Sequence, residues 1–367
     1  MTAEAARRST GAGRIGFTCA YTPLPLIRAA GFLPHRLLPL SDAPDRAGEL
    51  LHDNMCPHVK RVLDRAMSGD LPELGGVVVM NSCDAMRRLA DAWASVRPAE
   101  RVVVVDLPTT ETELSVKYFA SELGRLRDLL GEWAGRAVGD DDIVEAIEQQ
   151  NELARGLRRL YEHARNGGAG LPGGRRALQE LLNLSVTESV ETCLARVGEL
   201  EAEAERSAPP AADYSVPLFL FGNVMADPAA FELFESRGGR VVGDDLCTGA
   251  RQIVEIECDR FAEPIAQLAS ATLRRPPCAR TLPVGTKGGR DRLAEQVLAG
   301  VGASGARGVI AHVMKFCDPY LARMPELGRR LDREGVPLLV LEGDCTTRSL
   351  GQQATRIEAF IEMLGEV

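Results

Sequence analysis

A chain of 367 residues with a formal net charge of −9 lacks the basic face that phosphate binding needs, which excludes nucleic acid and an anionic membrane surface as main partners. Hydrophobic residues at 45% and charged residues at 26% suffice for real cores, and the length fits two domains with an inserted element. The opening MTAEAARRSTGAGRIGF lacks the apolar centre of a signal peptide, and no window approaches the ~20 apolar residues of a membrane span, so a cytoplasmic protein is expected.

RIGFT reads as a short strand, and TPLPLIRAAG as a helix with proline in its first turn and glycine after it. PHRLLPL reads as a second strand. VVVM at 77–80 and VVVVD at 102–106 are continuous apolar runs, as buried parallel strands are, and the helical stretch DAMRRLADAWASV lies between them. This βαβ order implies a parallel sheet. From about 113 to 206 apolar residues recur at helical spacing, interrupted by NGGAGLPGG and closed by APPAADYSVP. Strand and helix then alternate again through LFLFGN, DPAAFELFESRG, RVVGDD, GVIAHVM, LARMPELGRRLDREG and PLLVLEGD, and GQQATRIEAFIEML is a final helix.

GGVVVM-NSCD-AMRRL matches ARGVIAHVM-KFCD-PYLARM, and each is followed by an apolar strand ending in an acid. The expectation is therefore an α/β protein with two Rossmann-like parallel-sheet domains related by a duplication and a helical subdomain between them. The boundaries are 1–112 for the N-terminal α/β domain, 113–212 for the helices and 213–367 for the C-terminal α/β domain. In both units a Cys-Asp pair follows a strand, at the edge where open α/β sheets place ligands.

Nine cysteines in a reducing compartment do not read as disulfides. The five histidines form no HxH or HxxxH pair, and no CxxC knuckle marks a zinc site. Cys19 follows RIGFT, Cys56 precedes Pro57, and Cys83 follows VVVM, so three cysteines lie at strand ends or loops of one α/β unit. Three thiolates suit a [4Fe–4S] cluster with one iron free of cysteine, but a spacing of 37 and then 27 residues is no compact motif, and each cysteine singly also reads as a buried small residue. The second unit offers Cys247, Cys278 and Cys317, with Cys345 as a fourth candidate. Cys193, mid-helix, and Cys258, in an alternating stretch, read as packing residues.

GFTCAYTPLPLIRAAGFLPHRLLP, CPHVKRVLD, VVVMNSCDAMRRLAD, KFCDPYLARMPELGRRLDREGVPLLVLEGD and GQQATRIEAFIEML, in this order over nearly the whole chain, resemble the D-component family of 2-hydroxyacyl-CoA dehydratases, which includes benzoyl-CoA reductase subunits. The resemblance implies a [4Fe–4S] cluster on Cys19, Cys56 and Cys83 near the interface of two α/β domains. It implies a dimer, as homodimer or as heterodimer with a paralogous subunit, and an ATP-dependent iron–sulfur activator protein as electron donor. No GxxxxGK[ST] loop occurs here, in keeping with ATP chemistry elsewhere. The implied reaction is a hydro-lyase one: one electron enters an (R)-2-hydroxyacyl-CoA thioester, and the ketyl radical expels the 2-hydroxyl.

One branch of that family carries a double-cubane [8Fe–9S] cluster, which leaves a second cluster site at Cys247, Cys278 and Cys317 open. Cys317 is otherwise expected to pack under the KFCD turn, with Asp318 capping the next helix, and Cys345 has no place in the pattern. The alternatives are a double-cubane reductase of small molecules, a benzoyl-CoA reductase subunit, and a non-catalytic scaffold or electron-relay partner. No general base is identified; Asp84, His52 and His58 read as structural. A substrate pocket is expected beside the three cysteines, whose sulfurs should lie about 6–7 Å apart if they share one cubane.

Overall fold

The computed structural model describes residues 13–40, 45–165, 171–206, 215–259, 262–282 and 291–366. The NGGAGLPGG break and the APPAADYSVP linker lie largely outside them. The chain forms two four-stranded sheets, all parallel. The first holds β1 (Arg14–Phe17), β2 (Leu33–Arg36), β3 (Leu74–Asn81) and β4 (Arg101–Asp106) in the order β2-β1-β3-β4. The second holds β5 (Val216–Gly222), β6 (Gly239–Leu246), β7 (Gly308–Met314) and β8 (Leu338–Gly343) in the order β6-β5-β7-β8. The two sheets thus share one topology, as a duplication requires. β3 and β7 are buried along nearly their whole length, the reason their sequences are apolar runs rather than alternations.

The connecting helices are α1 (Leu24–Ala29), α2 (Pro57–Ser68) and α3 (Asp84–Val96) in the first unit. α2 starts at Pro57, whose missing N–H costs nothing in a first turn, and stops at Gly69, whose φ of 74° suits a residue without Cβ. The helical middle comprises α4 (Glu113–Ala134), α5 (Asp140–Arg165), α6 (Gly174–Leu184) and α7 (Val190–Arg206). The C-terminal half adds α8 (Glu232–Glu235), α9 (Pro264–Arg274), α10 (Arg292–Ser304), α11 (Asp318–Arg333), α12 (Thr347–Gly351) and α13 (Ala354–Gly365).

The helical middle divides between two cores. Phe119, Leu123, Leu126 and Leu130 of α4 pack with Val103 and Val105 of β4, so α4 covers one face of the first sheet. α5, α6 and α7 build a separate bundle around Leu157, Leu178, Leu182 and Cys193. Leu268, Ala269 and Leu273 of α9 join the N-terminal core across from α4, which ties the C-terminal half to the first sheet. On the sheet's other face α2 and α3 pack with Val77, Val79, Val224, Ala226 and Met314, so this core also runs from one half to the other.

Gly222 ends β5 with φ 147°, and a Cβ there would meet the His312 carbonyl oxygen at 2.0 Å. Both the conformation and the close passage to β7 require glycine. Its carbonyl also accepts from the Tyr320 hydroxyl at 2.8 Å. Gly222→Ala should cost on the order of 3–5 kcal/mol, combining backbone strain with overpacking, read as a fall in the thermal or denaturant midpoint of the purified chain. An unchanged midpoint would contradict so close a crossing of β5 and β7.

Candidate functional site

The carboxyl ends of both sheets carry cysteines. Cys19 follows β1, Cys83 follows β3, Cys247 follows β6 and Cys317 follows β7. Cys56 and Cys278 lie at the start of α2 and beyond the end of α9. Cys56, Cys83 and Cys317 are each the residue at the mouth of a helix, α2, α3 and α11. None makes a strict capping hydrogen bond there. The backbone N–H groups of His58, Met86 and Tyr320 nonetheless face these three sulfurs and favour their thiolates, as does the positive end of each helix.

Contacts run from sulfur to sulfur across the two halves. The Cys56 Sγ lies 3.9 Å from the Met314 Sδ, and its thiol pairs with Cys317. Asn223 Nδ2 donates to Cys317 Sγ at 3.1 Å, while its Oδ1 accepts from the Met314 N–H at 3.2 Å, which fixes the amide's orientation. Cys83 is electrostatically coupled to Cys317 and Cys19, and Cys278 to Cys247 and Cys19. Arg251 Nη1 is 3.0 Å from Cys247 Sγ, and the Tyr320 hydroxyl is 3.8 Å from it. Cys19 borders the core on one face of the first sheet and Cys56 and Cys83 that on the other; Cys83 lies within electrostatic range of both Cys19 and Cys56.

The thiols differ in acidity. Its hydrogen bond to Cys317 and burial push Cys56 well up, and burial pushes Cys83 up and Cys278 up to about 11. Cys317 is pulled down to about 7 because Cys56, Asn223 and the Tyr320 N–H all donate to it. Within this pair Cys317 is the more acidic thiol.

Cys317 packs against the core of its own half and also against the core shared with the first sheet. Asp318 does not cap α11; Cys317 occupies that position and faces Cys56 of the other half. The preceding Phe316 has φ 58°, an uncommon conformation for a bulky residue, at the turn that leads into Cys317. Cys345 lies 3.9 Å from the Pro57 carbonyl oxygen, and its charged neighbours are Asp344, Arg61 and Asp64 rather than the other thiols. Cys193 is fully buried in the helical bundle, and Cys258 packs against the N-terminal core. His52 and Asp84 are exposed, the first accepting from the Asn54 N–H and the second pairing with Arg87 and Arg88. His58 is buried and held neutral, its pKa lowered to about 3 by burial and by Arg36.

Among the described residues, no three His, Cys, Asp or Glu side chains close on a single metal ion. A cavity of about 500 Å³ lies between the first turns of α5 and α9, lined by Asp140, Asp141, Glu145, Glu148 and Glu263, and so away from the cysteines, where the sequence places a pocket. A second, of about 20 Å³, runs from Phe17 and Ala20 beside Cys19 to Gln252.

Sequence reasoning missed the residues that surround the thiols: Asn223, Tyr21, Tyr320 and the buried arginines Arg36, Arg251 and Arg275. Arg36 left a signal, since it stands in the apolar strand segment PHRLLPL where a charge has no reason to be unless it has a partner inside.

The acidity of Cys317 is open to direct measurement. With the thiols free, alkylation at Cys317 should rise with pH through about 7, against 9.0 for an unperturbed thiol. Because its folded pKa is depressed, its contribution to stability is full above the unfolded value and is lost as pH falls through about 7. Asn223→Ala should move the alkylation midpoint upward, and a midpoint that stays put would remove Asn223 from this role.

The sequence from 19 to 364 matches the family model described as 2-hydroxyglutaryl-CoA dehydratase, D-component. The chain is 24% identical over 362 residues to the lactoyl-CoA dehydratase subunit beta of Anaerotignum propionicum, covering 98% of this chain and 93% of that one. It is 23% identical over 366 residues to the (R)-2-hydroxyglutaryl-CoA dehydratase subunit beta of Acidaminococcus fermentans, with 97% and 94% covered. It is 23% identical over 339 residues to a benzoyl-CoA reductase subunit of Thauera aromatica, with 89% and 84% covered. With a match that runs from just after β1 to the last helix, this chain belongs to the 2-hydroxyglutaryl-CoA dehydratase D-component family.

Proposed function

We propose that this chain is the iron–sulfur subunit of a 2-hydroxyacyl-CoA dehydratase, acting on an (R)-2-hydroxyacyl-CoA after one-electron activation by a separate ATP-hydrolysing iron–sulfur protein. The observation that supports this reading is that Cys19 and Cys83 follow strands of the first sheet and Cys56 opens a helix beside it, with Cys83 in electrostatic range of both others. The donor chemistry fits an iron–sulfur cluster: all three groups are thiols, and Cys56 and Cys83 stand at helix mouths that favour thiolates. When bound, the cluster supplies low-potential one-electron chemistry and an iron site able to polarise an oxygen of the substrate. The chain's own part is to hold the thiols apart, exclude water from the interface and keep His58 neutral.

A second reading, a double-cubane cluster serving a reductase of small molecules, is favoured by one specific observation: Cys317 faces Cys56 across the two halves, with Cys247 and Cys278 beside Cys19. In that reading Cys19, Cys56 and Cys83 hold one cubane and Cys247, Cys278 and Cys317 the other. Iron and sulfide per chain after anaerobic purification separate the two. About four irons supports the first and about eight the second, and Cys317→Ser should leave the first unchanged and remove roughly half of the second. A chain free of iron, purified anaerobically with its cysteines reduced, would end both readings.

A further inference from the structure

Three guanidinium groups stand among the six cysteines, and they are nearly sealed from water: Arg36 and Arg251 are each 1% exposed and Arg275 is 8% exposed. Arg251 has a carboxylate partner, Asp245, at 2.7 Å. The adjacent Asp244 is taken by Arg175 at 2.6 Å. Among the described residues, neither Arg36 nor Arg275 pairs with a carboxylate. Arg36 donates to the Cys247 carbonyl at 2.8 Å and to Gln252 Oε1 at 2.6 Å. Arg275 donates to the carbonyls of Ala20 and Arg251 and lies over the Tyr21 ring at 4.8 Å. The Nε of each has no partner. Three buried positive charges against one buried negative charge leave an excess of two, and an uncompensated buried ion is strongly destabilising.

The cysteines are the groups placed to offset it. Besides each other and Arg251, the ionisable neighbours of Arg36 are Cys247 and Cys19, and those of Arg275 include Tyr21, Cys19 and Cys278. Arg251 touches the Cys247 sulfur directly. Protonated thiols carry no charge, so the arrangement balances only when the interface holds an anion. Polar carbonyls and a ring face can solvate a guanidinium, but they supply no net charge.

We propose that Arg36, Arg251 and Arg275 are a built-in cationic lining for the anionic thiolate-bound cluster, positioned to stabilise its more negative, reduced state and so to raise its reduction potential. This rests on the iron–sulfur reading above. Reduction here adds one electron from an external low-potential donor; no bond forms or breaks and no proton moves, so the cluster becomes one unit more negative. Fixed positive charge in a dry interface favours that product over the oxidised form.

The test uses the iron-loaded full chain, titrated anaerobically against a titanium(III) reductant with the paramagnetic signal of the reduced cluster as readout. Arg275→Met and Arg36→Met should each lower the reduced-to-oxidised ratio at fixed potential about tenfold, which for one electron is 59 mV. Arg275→Lys and Arg36→Lys should stay close to the parent. Loss of iron or of fold in the Met variants alone, with iron retained in the Lys variants, would equally show that charge is what the site needs. Met and Lys variants that change alike, or not at all, overturn the proposal while leaving the iron–sulfur reading intact. A parent chain without iron removes that reading and this one together.

Discussion

A guanidinium buried at a domain interface must find its partners across that interface, and the packing of the two halves follows from this constraint. Arg36, at the end of β2, reaches the Cys247 carbonyl and Gln252 of the other half. Arg275 returns the contact by donating to the Ala20 carbonyl beside Cys19. Tyr21 takes the Cys278 N–H at 3.2 Å, and Arg280 donates to the Leu107 and Pro108 carbonyls beyond β4. Each of these bonds closes over the rim of a sheet, so the two rims are held facing each other. The cysteines need no contacts of their own to be brought together; they sit on loops whose neighbours are already fixed.

The duplication explains why both rims offer thiols, and also why they are unequal. Cys83 and Cys317 hold matching places, after the third strand of each unit in order of sequence and at the mouth of the next helix. Asn223, just after β5, donates to Cys317, whereas Thr18, its counterpart just after β1, has a buried hydroxyl with no hydrogen-bond partner. One copy of the repeat thus holds a sulfur with a strand-end amide, and the other has no amide at that place. Cys317 gains acidity from this and Cys83 does not.

The strands and most helices were legible in the sequence because they rest on local signals: continuous apolar runs for β3, β4, β5 and β7, helical spacing for α4 and α5, proline and glycine at helix ends. The shared strand order followed from the repeated strand–Cys-Asp–helix pattern. The position of Cys317 was not legible, since whether a turn cysteine packs beneath its own loop or faces another domain depends on how two rigid units dock, and no local pattern encodes that. The arginine lining was hidden for the same reason: Arg251 and Arg275 lie in polar stretches, TGARQ and LRRPP, where an arginine ordinarily points to solvent. The one exception is Arg36, whose apolar strand surroundings marked it as a charge with an inward partner.

Holding several thiolates in a dry interface is itself costly, because burial favours the neutral thiol, as the raised values at Cys56, Cys83 and Cys278 show. The chain opposes this with two kinds of fixed charge. Helix mouths serve Cys56, Cys83 and Cys317, which among the described residues have no guanidinium within hydrogen-bonding reach. Guanidinium groups serve the loops: Arg251 and Arg280 oppose the rise at Cys278, Arg251 lies 3.0 Å from the Cys247 sulfur, and neither cysteine begins a helix. The division is by position: a cysteine that opens a helix receives the partial positive charge of its free N–H groups, and one on a plain loop requires a full charge from elsewhere. Because both kinds are built into elements anchored by the sheets, the electrostatics are set before any anion arrives. Any anion that binds at this interface would meet the same fixed charges.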